Sequence, residues 1–344
     1  MTKLYSVGIG VGTQNKKGEW LEVFYPAPLL NPDAAIAAAL SEALDYSAGN
    51  TVINLDNNTL QSLADALDKQ QQSAQADAVE SLLNSKRSCV ATILASDDEP
   101  GSVPEAYLKL QLISHRLVRP HGINLSGIFG SLPNVAWTNE GAIDLAELPA
   151  RQVAARINGT NLSVDSVDKF PKMSDYVVPA GVRIADARRV RLGAYIGEGT
   201  TIMHEGFVNF NAGAEGPNMI EGRISAGVFV GAGSDLGGSS STMGTLSGGG
   251  NIIISVGKEC LLGANAGIGI PLGDRCIVEA GLYITAGTKV VMLDDSKQVA
   301  GETKARELAG KSDLLFRRNS VSGAIECLTN QTAVELNEAL HAHN

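Results

Sequence analysis

From Val178 onward an aliphatic residue recurs every six positions, at Val178, Ile184, Val190, Ile196, Ile202 and Val208. That interval matches neither the 3.6-residue turn of an α-helix nor the two-residue alternation of a flat strand. Three short strands, each burying one aliphatic side chain, make a triangular coil of about 18 residues. The pattern therefore predicts a left-handed parallel β-helix. The phase resumes at Ile224, Val230 and Leu236, again at Val256, Leu262 and Ile268, and finally at Leu272, Val278, Ile284 and Val290. Glycine follows the inward residue at Gly197, Gly231, Gly237, Gly257, Gly263, Gly269 and Gly273, where a tight corner can use a residue that tolerates positive φ.

Two interruptions stand out. Residues 209–223 contain NFNAGAEGPNMIEG and residues 238–254 read GSSSTMGTLSGGGNIII. Both are too rich in glycine and polar residues for core strands and are predicted as loops projecting from the solenoid, where binding residues tend to lie.

Upstream, residues 4–11 and 20–25 read as strands around a polar turn at 15–18, and residues 33–45, 59–85 and 104–117 have helical spacing, with Asp33 and Pro104 at helix starts. Gly8, Gly10 and Gly12 spell GxGxG, but a turn and a strand follow, not a helix whose N-terminus would receive phosphate; a hairpin is expected. The predicted organisation is an α/β domain over 1–150, a bridge over 151–177 containing SVDKFPKMSDY, the solenoid over 178–292, and a small C-terminal cap over 293–344 ending in the helix AVELNEALHAHN.

Composition adds bounds. A chain of 344 residues, 44% hydrophobic and 19% charged, has ample core for two or three domains. A formal charge of −10 disfavours nucleic acid as a partner. Cys89, Cys260, Cys276 and Cys327 form no CxxC pair, the start MTKLYSVGIG lacks a long apolar segment, and no run of about 18 apolar residues occurs. Reduced thiols, a cytoplasmic location and no membrane association are expected.

Of five histidines only His204 lies within the repeat region, beside Glu205 in MHEGFVNFNAG at the edge of the first interruption. A carboxylate or imidazole there can take a proton from an attacking amine, or Glu205 can itself attack a thioester and carry the acyl group as an anhydride. The alternatives are a corner histidine bonded to backbone carbonyls and a solvated glutamate. Asn209 and Asn211 stand close by as uncharged donors and acceptors. A zinc carbonic anhydrase on such a solenoid needs three imidazoles, which one histidine cannot supply. Arg317 and Arg318 in LLFRRNS, with Lys289, are candidates for meeting phosphates.

Nearly the whole chain resembles one family, the long form of 2,3,4,5-tetrahydropyridine-2,6-dicarboxylate N-succinyltransferase. VGTQNKKGEWLEVFY, DKFPKMSDYVVPAGVRIAD, RLGAYIGEGTTIMHEGFVNFNAG, GSDLGGSSSTMGTLSGGGN and LLFRRNSVSGA carry the likeness, with MHEGFVNFNAG and MGTLSGGGN the most specific. The resemblance implies transfer of succinyl from succinyl-CoA to the amine of L-2-amino-6-oxopimelate in lysine and diaminopimelate biosynthesis. It also implies a homotrimer with active sites in grooves between neighbouring solenoids. It places the catalytic carboxylate at Glu205, as nucleophile or as base, and the CoA groove at Gly222, Ser225, Gly248, Gly263 and Ala264, with His204, Asn209 and Asn211 toward the acceptor. No tightly bound cofactor is implied, and a divalent ion such as Mg2+ is left open. Corner N–H groups would meet the oxyanion, and Arg183, Arg188 and Arg191 are candidates for the substrate carboxylates. The competing readings are an acyl-CoA N-acyltransferase with an acetyl donor or amino-sugar acceptor, and a non-catalytic trimeric scaffold.

Overall fold

The computed structural model describes residues 3–244 and 252–329. They fall into two compact units, one formed by the residues up to Leu112 with Gly122–Pro171, the other by Ile113–His121 with the residues from Lys172 onward.

In the first unit, the strand Ser6–Gln14 pairs antiparallel with Trp20–Phe24 on one side and Ser88–Leu94 on the other, and Thr51–Leu55 extends the sheet. The GxGxG run lies within this first strand, as a hairpin requires. A Cβ at Gly8 would lie 2.6 Å from the Tyr25 ring, and one at Gly10 would lie 2.4 Å from the Phe24 carbonyl oxygen, so these glycines serve packing. Helices Ala34–Leu44, Asn57–Lys69 and Ser73–Glu80 bury Leu40, Leu60, Leu63 and Leu67 against Val7 and Ile93. The helix expected over 59–85 is two helices, parted where Gln71 takes a left-handed φ of 61°. A second, three-stranded sheet has Val135–Thr138 between Gly141–Asp144 and Val164–Asp168, and the helix Leu148–Ile157 packs Ala155 against Ala136 and Ile143. Much of the expected bridge is thus structured within the first unit.

The second unit is a left-handed parallel β-helix with three faces. The first stacks Ala194–Ile196, Ala212–Ala214, Phe229–Val230 and Ser255–Val256. The second runs from Arg183–Ile184 through Thr200–Ile202, Asn218–Ile220, Asp235–Leu236 and Leu261–Leu262 to Ile277–Val278. The third stacks Phe207–Val208, Arg223–Ile224, Ser241–Thr242, Gly267–Gly269 and Tyr283–Thr285. The aliphatic ladder from Val190 to Val290 is buried as its period predicts. Its first two rungs differ: Val178 is 72% exposed, its place in the core taken by Val177, and Ile184 is only half-buried at the end of the stack.

The segment 209–223 is not a projecting loop. It contributes the ladder strands Ala212–Ala214 and Asn218–Ile220, with Ala214 and Ile220 as buried rungs. The phase slips because this coil is shorter: Ala194 pairs with Ala212, eighteen positions on, but Ala214 pairs with Val230, sixteen on. At the second interruption Val230 pairs with Val256, twenty-six on, so the extra length lies between Thr242 and Ser255.

The corner glycines have another purpose than positive φ. A Cβ on Gly231 would lie 2.7 Å from the Gly257 carbonyl group, and one on Gly257 would lie 2.4 Å from that of Gly273. Successive coils approach too closely there for any side chain. Left-handed φ falls two positions later, at Gly199, Gly233, Glu259 and Arg275.

Ile113–His121 runs along the first face. Ser114 Oγ donates to the Ala194 carbonyl (3.1 Å) and accepts from Gly193 N–H, Arg116 Nε reaches the Ile196 carbonyl, and Arg119 pairs with Glu215 at 2.7 Å. At the far end, Leu314–Arg318 adds in parallel to Ile277–Val278 and seats Phe316 in the core. Lys289–Leu293, Val299–Lys304 and Ile325–Thr329 complete this region. The C-terminal helix expected from AVELNEALHAHN lies outside the described residues.

Candidate active site

Ile202 pairs with Ile220, Ile220 with Leu236, and Leu236 with Leu262, so the turns that follow these residues stack as one edge of the solenoid between its second and third faces. His204 and Glu205 occupy the turn after Ile202, Gly222 the turn after Ile220, and Gly263 and Ala264 the turn after Leu262. Residues far apart in the chain thereby form one column, about 14 Å long at the spacing of parallel strands. His204 and Glu205 are exposed. An open groove of about 560 Å³ adjoins them on the second face, lined by Arg183, Ala185, Thr201, Met203, His204 and Met219.

The backbone of this column is largely committed to the fold. Gly222 N–H donates to the Leu236 carbonyl (3.1 Å) and Gly263 N–H to the Val278 carbonyl (2.8 Å). Both of these N–H groups thus already bond the next coil. A Cβ at Gly222 would lie 2.0 Å from Ser240 Oγ, so glycine is required there by its neighbour. Ser225 Oγ donates to the Thr242 carbonyl (2.6 Å), which leaves its lone pairs as what it can offer a ligand.

The two asparagines differ. Asn209 Oδ1 accepts from Arg191 Nη1 (3.1 Å) and from Phe210 N–H (2.9 Å) on the corner after the third face. Asn211, at a left-handed φ of 50°, accepts from His121 N–H with its side-chain carbonyl, and the His121 ring nitrogen lies 2.7 Å from the Gly227 carbonyl. Asn211 thus ties Ile113–His121 to the solenoid.

Of the arginines, Arg183 lines the groove, whereas Arg188 forks onto Asp186 through Nε (3.0 Å) and Nη2 (2.9 Å). The Arg188 hydrogen bond holds the Asp186 carboxyl at a pKa of about 2, with His204 among the nearby charges that favour the ionised form. Asp186 is a polar group at this edge that the sequence pattern does not single out; only its spacing of eighteen from His204, one coil, hints at it. In the C-terminal region Arg317 is engaged by Glu326 at 2.8 Å, and Arg318 reaches the Gly323 carbonyl.

A family model described as the middle region of tetrahydrodipicolinate N-succinyltransferase matches residues 132–172, and one described as the hexapeptide repeat of succinyl-transferase matches 253–286. The chain is 68% identical over 341 residues to 2,3,4,5-tetrahydropyridine-2,6-dicarboxylate N-succinyltransferase of Pseudomonas paraeruginosa, covering 99% of both chains. It is 59% identical to the Vibrio cholerae enzyme of the same name, again over 99% of both. The chain belongs to the tetrahydropyridine-2,6-dicarboxylate N-succinyltransferase family.

A solved Campylobacter jejuni structure assigned as a 2,3,4,5-tetrahydropyridine-2-carboxylate N-succinyltransferase superposes with a TM-score of 0.89 at 34% identity, covering 97% of this chain and 94% of that one. Both the solenoid and the unit before it are therefore N-succinyltransferase architecture. Gly248, expected in the CoA groove of such an N-succinyltransferase, lies outside the described residues. Among the described residues, no group of three or more His, Cys, Asp or Glu side chains is placed to hold a metal ion, and no helix is long and apolar enough to cross a membrane.

Proposed function

We propose that the chain transfers the succinyl group of succinyl-CoA to the amine of L-2-amino-6-oxopimelate, the open form of tetrahydrodipicolinate, in lysine and diaminopimelate biosynthesis. The observation that carries this reading is the column at the edge of the second and third faces, which sets Glu205 in line with Gly222, Gly263 and Ala264 in a member of this family. An extended cosubstrate lying along the column would bring its thioester to the glutamate.

The reaction forms an N–C bond at the thioester carbonyl, breaks the C–S bond and returns a proton to the CoA thiolate. The amine must attack as the free base, so a group that accepts its proton lowers the barrier. Glu205 is exposed at the end of the column and supplies that carboxylate, as base or as the nucleophile that first takes the succinyl group. The groove beside it has the chemistry of the acceptor: Met203 and Met219 line it for an aliphatic chain, and Arg183 supplies a cation for a carboxylate. A cytoplasmic homotrimer, with this edge facing a neighbouring solenoid, completes the reading.

Release of CoA thiol with succinyl-CoA and the aminopimelate acceptor tests it. Glu205→Gln is expected to lower kcat by about 10²- to 10⁴-fold while the protein stays folded. Release with acetyl-CoA but not succinyl-CoA would overturn the donor assignment, and wild-type turnover by Glu205→Gln would overturn the role of the carboxylate.

A further inference from the structure

Along the third face, each coil donates a backbone N–H to the carbonyl that ends the turn of the next coil. Phe207 N–H bonds the Gly222 carbonyl, Arg223 the Ser240 carbonyl, Ser241 the Ala266 carbonyl and Gly267 the Leu282 carbonyl, at 2.8–3.1 Å. The first carbonyl in this series is that of Gly206, immediately after Glu205. The residue stacked above Phe207 is Arg189, since Val190 pairs with Val208. Its N–H is turned away into a short 3-10 helix, where it bonds the Asp186 carbonyl at 3.1 Å. The ladder resumes two positions on, with Arg191 N–H on the Val208 carbonyl.

The Arg189 side chain fills the missing rung. Its Nε donates to the Gly206 carbonyl at 3.0 Å and its Nη2 to the Glu205 carbonyl at 2.9 Å. A guanidinium presents these donors in a rigid fork, so two consecutive carbonyls are held at once. We infer that Arg189 is a positioning residue for the reaction: it substitutes for the backbone donor that the coil above Glu205 lacks, and so fixes the turn that aims the Glu205 carboxylate. This rests on the assignment of Glu205 to the chemistry. A turn left free to move by an ångström would cost about 10²-fold in the rate of a positioned group.

Steady-state kinetics of Arg189→Ala, Arg189→Lys, Glu205→Gln and the double variant Arg189→Ala/Glu205→Gln test it, with thermal unfolding measured alongside. For Arg189→Ala we expect kcat to fall about 10- to 100-fold with KM for succinyl-CoA within about twofold of wild type, and millimolar guanidinium to restore part of the rate. Arg189→Lys, which keeps the charge but lacks the fork, should lie between Ala and wild type, and it carries the test if the alanine variant does not fold. In the Glu205→Gln background, Arg189→Ala should cost nothing further. Wild-type kcat in Arg189→Ala, full activity in Arg189→Lys, or an additive loss in the double variant would each overturn the inference. Near wild-type turnover by Glu205→Gln would instead remove the assignment of Glu205 beneath it.

Discussion

Gly197 and Glu215 stand so close in successive coils that a Cβ on the glycine would lie 1.8 Å from the glutamate's carbonyl oxygen. The atom in the way is backbone, held by Gly197 N–H on the Ala214 carbonyl and by Glu215 N–H on the Val230 carbonyl, so it cannot step aside alone. Gly197→Ala should therefore destabilise the protein by roughly 2–3 kcal/mol, as overpacking does. Gly287 is the control, since a Cβ there would meet nothing within 4 Å, and Gly287→Ala should stay within about 0.5 kcal/mol. Urea unfolding midpoints of the two variants decide between them.

Lys109 is 1% exposed, and its ammonium meets the Asp97 carboxylate and the carbonyls of Asp98 (2.7 Å) and Asn124 (3.0 Å). Lys109→Met removes the cation that these three acceptors share, and should cost roughly 3–5 kcal/mol. Lys69, exposed in its pair with Glu42, should cost under about 1 kcal/mol on change to alanine. Equal losses in denaturant titration would show that the Lys109 cluster is no more than a surface pair.

The four cysteines are buried and free. Burial pushes the Cys327 thiol up to about 12 and raises that of Cys89, and the adjoining Cys276 together with burial raises that of Cys260. Since the thiolate is the reactive form, Cys89, Cys260 and Cys327 should not react with an aromatic disulfide reagent at pH 8 in the native protein; the hydrogen bond with Cys260 lowers the Cys276 thiol, so burial alone shields it, and all four should react after denaturation. Rapid labelling of a native thiol would contradict this.

Asp186 carries a pH dependence of definite sign. The hydrogen bond from Arg188 holds its folded pKa at about 2, below the ordinary value of 3.8. A depressed carboxylate stabilises the folded state above the unfolded pKa and ceases to do so as pH falls toward the folded value. Asp186→Asn should therefore lower the urea midpoint at pH 7, and the gap from wild type should close between about pH 4 and pH 2. A gap that persists at pH 2 would mean that the asparagine acts through packing instead.

The solenoid was legible in the sequence because a period of six is rare and most rungs from Val190 to Val290 are large aliphatic residues facing inward. The departures have physical causes. Val178 kept the period by chance at the open end, where no coil covers it. The 209–223 strands were missed because Ala214 is too small to read as a rung and Ile220 is followed by Ile224 after four positions instead of six. The corner glycines were recognised, but whether glycine answers a left-handed φ or a close approach depends on the neighbouring coil, which a linear pattern does not contain. Glu205 was singled out from its motif. Arg189 was not, because its importance comes from a backbone donor that turns elsewhere, and that is visible only in three dimensions.

The twenty-six-residue coil places all of its surplus length between Thr242 and Ser255, while Asp235 and Ser241 keep their register with Leu261 and Gly267. Strand pairing on either side of that segment therefore fixes its ends independently of how many residues it holds. A change of length there would thus not propagate a register error to the column that bears Glu205.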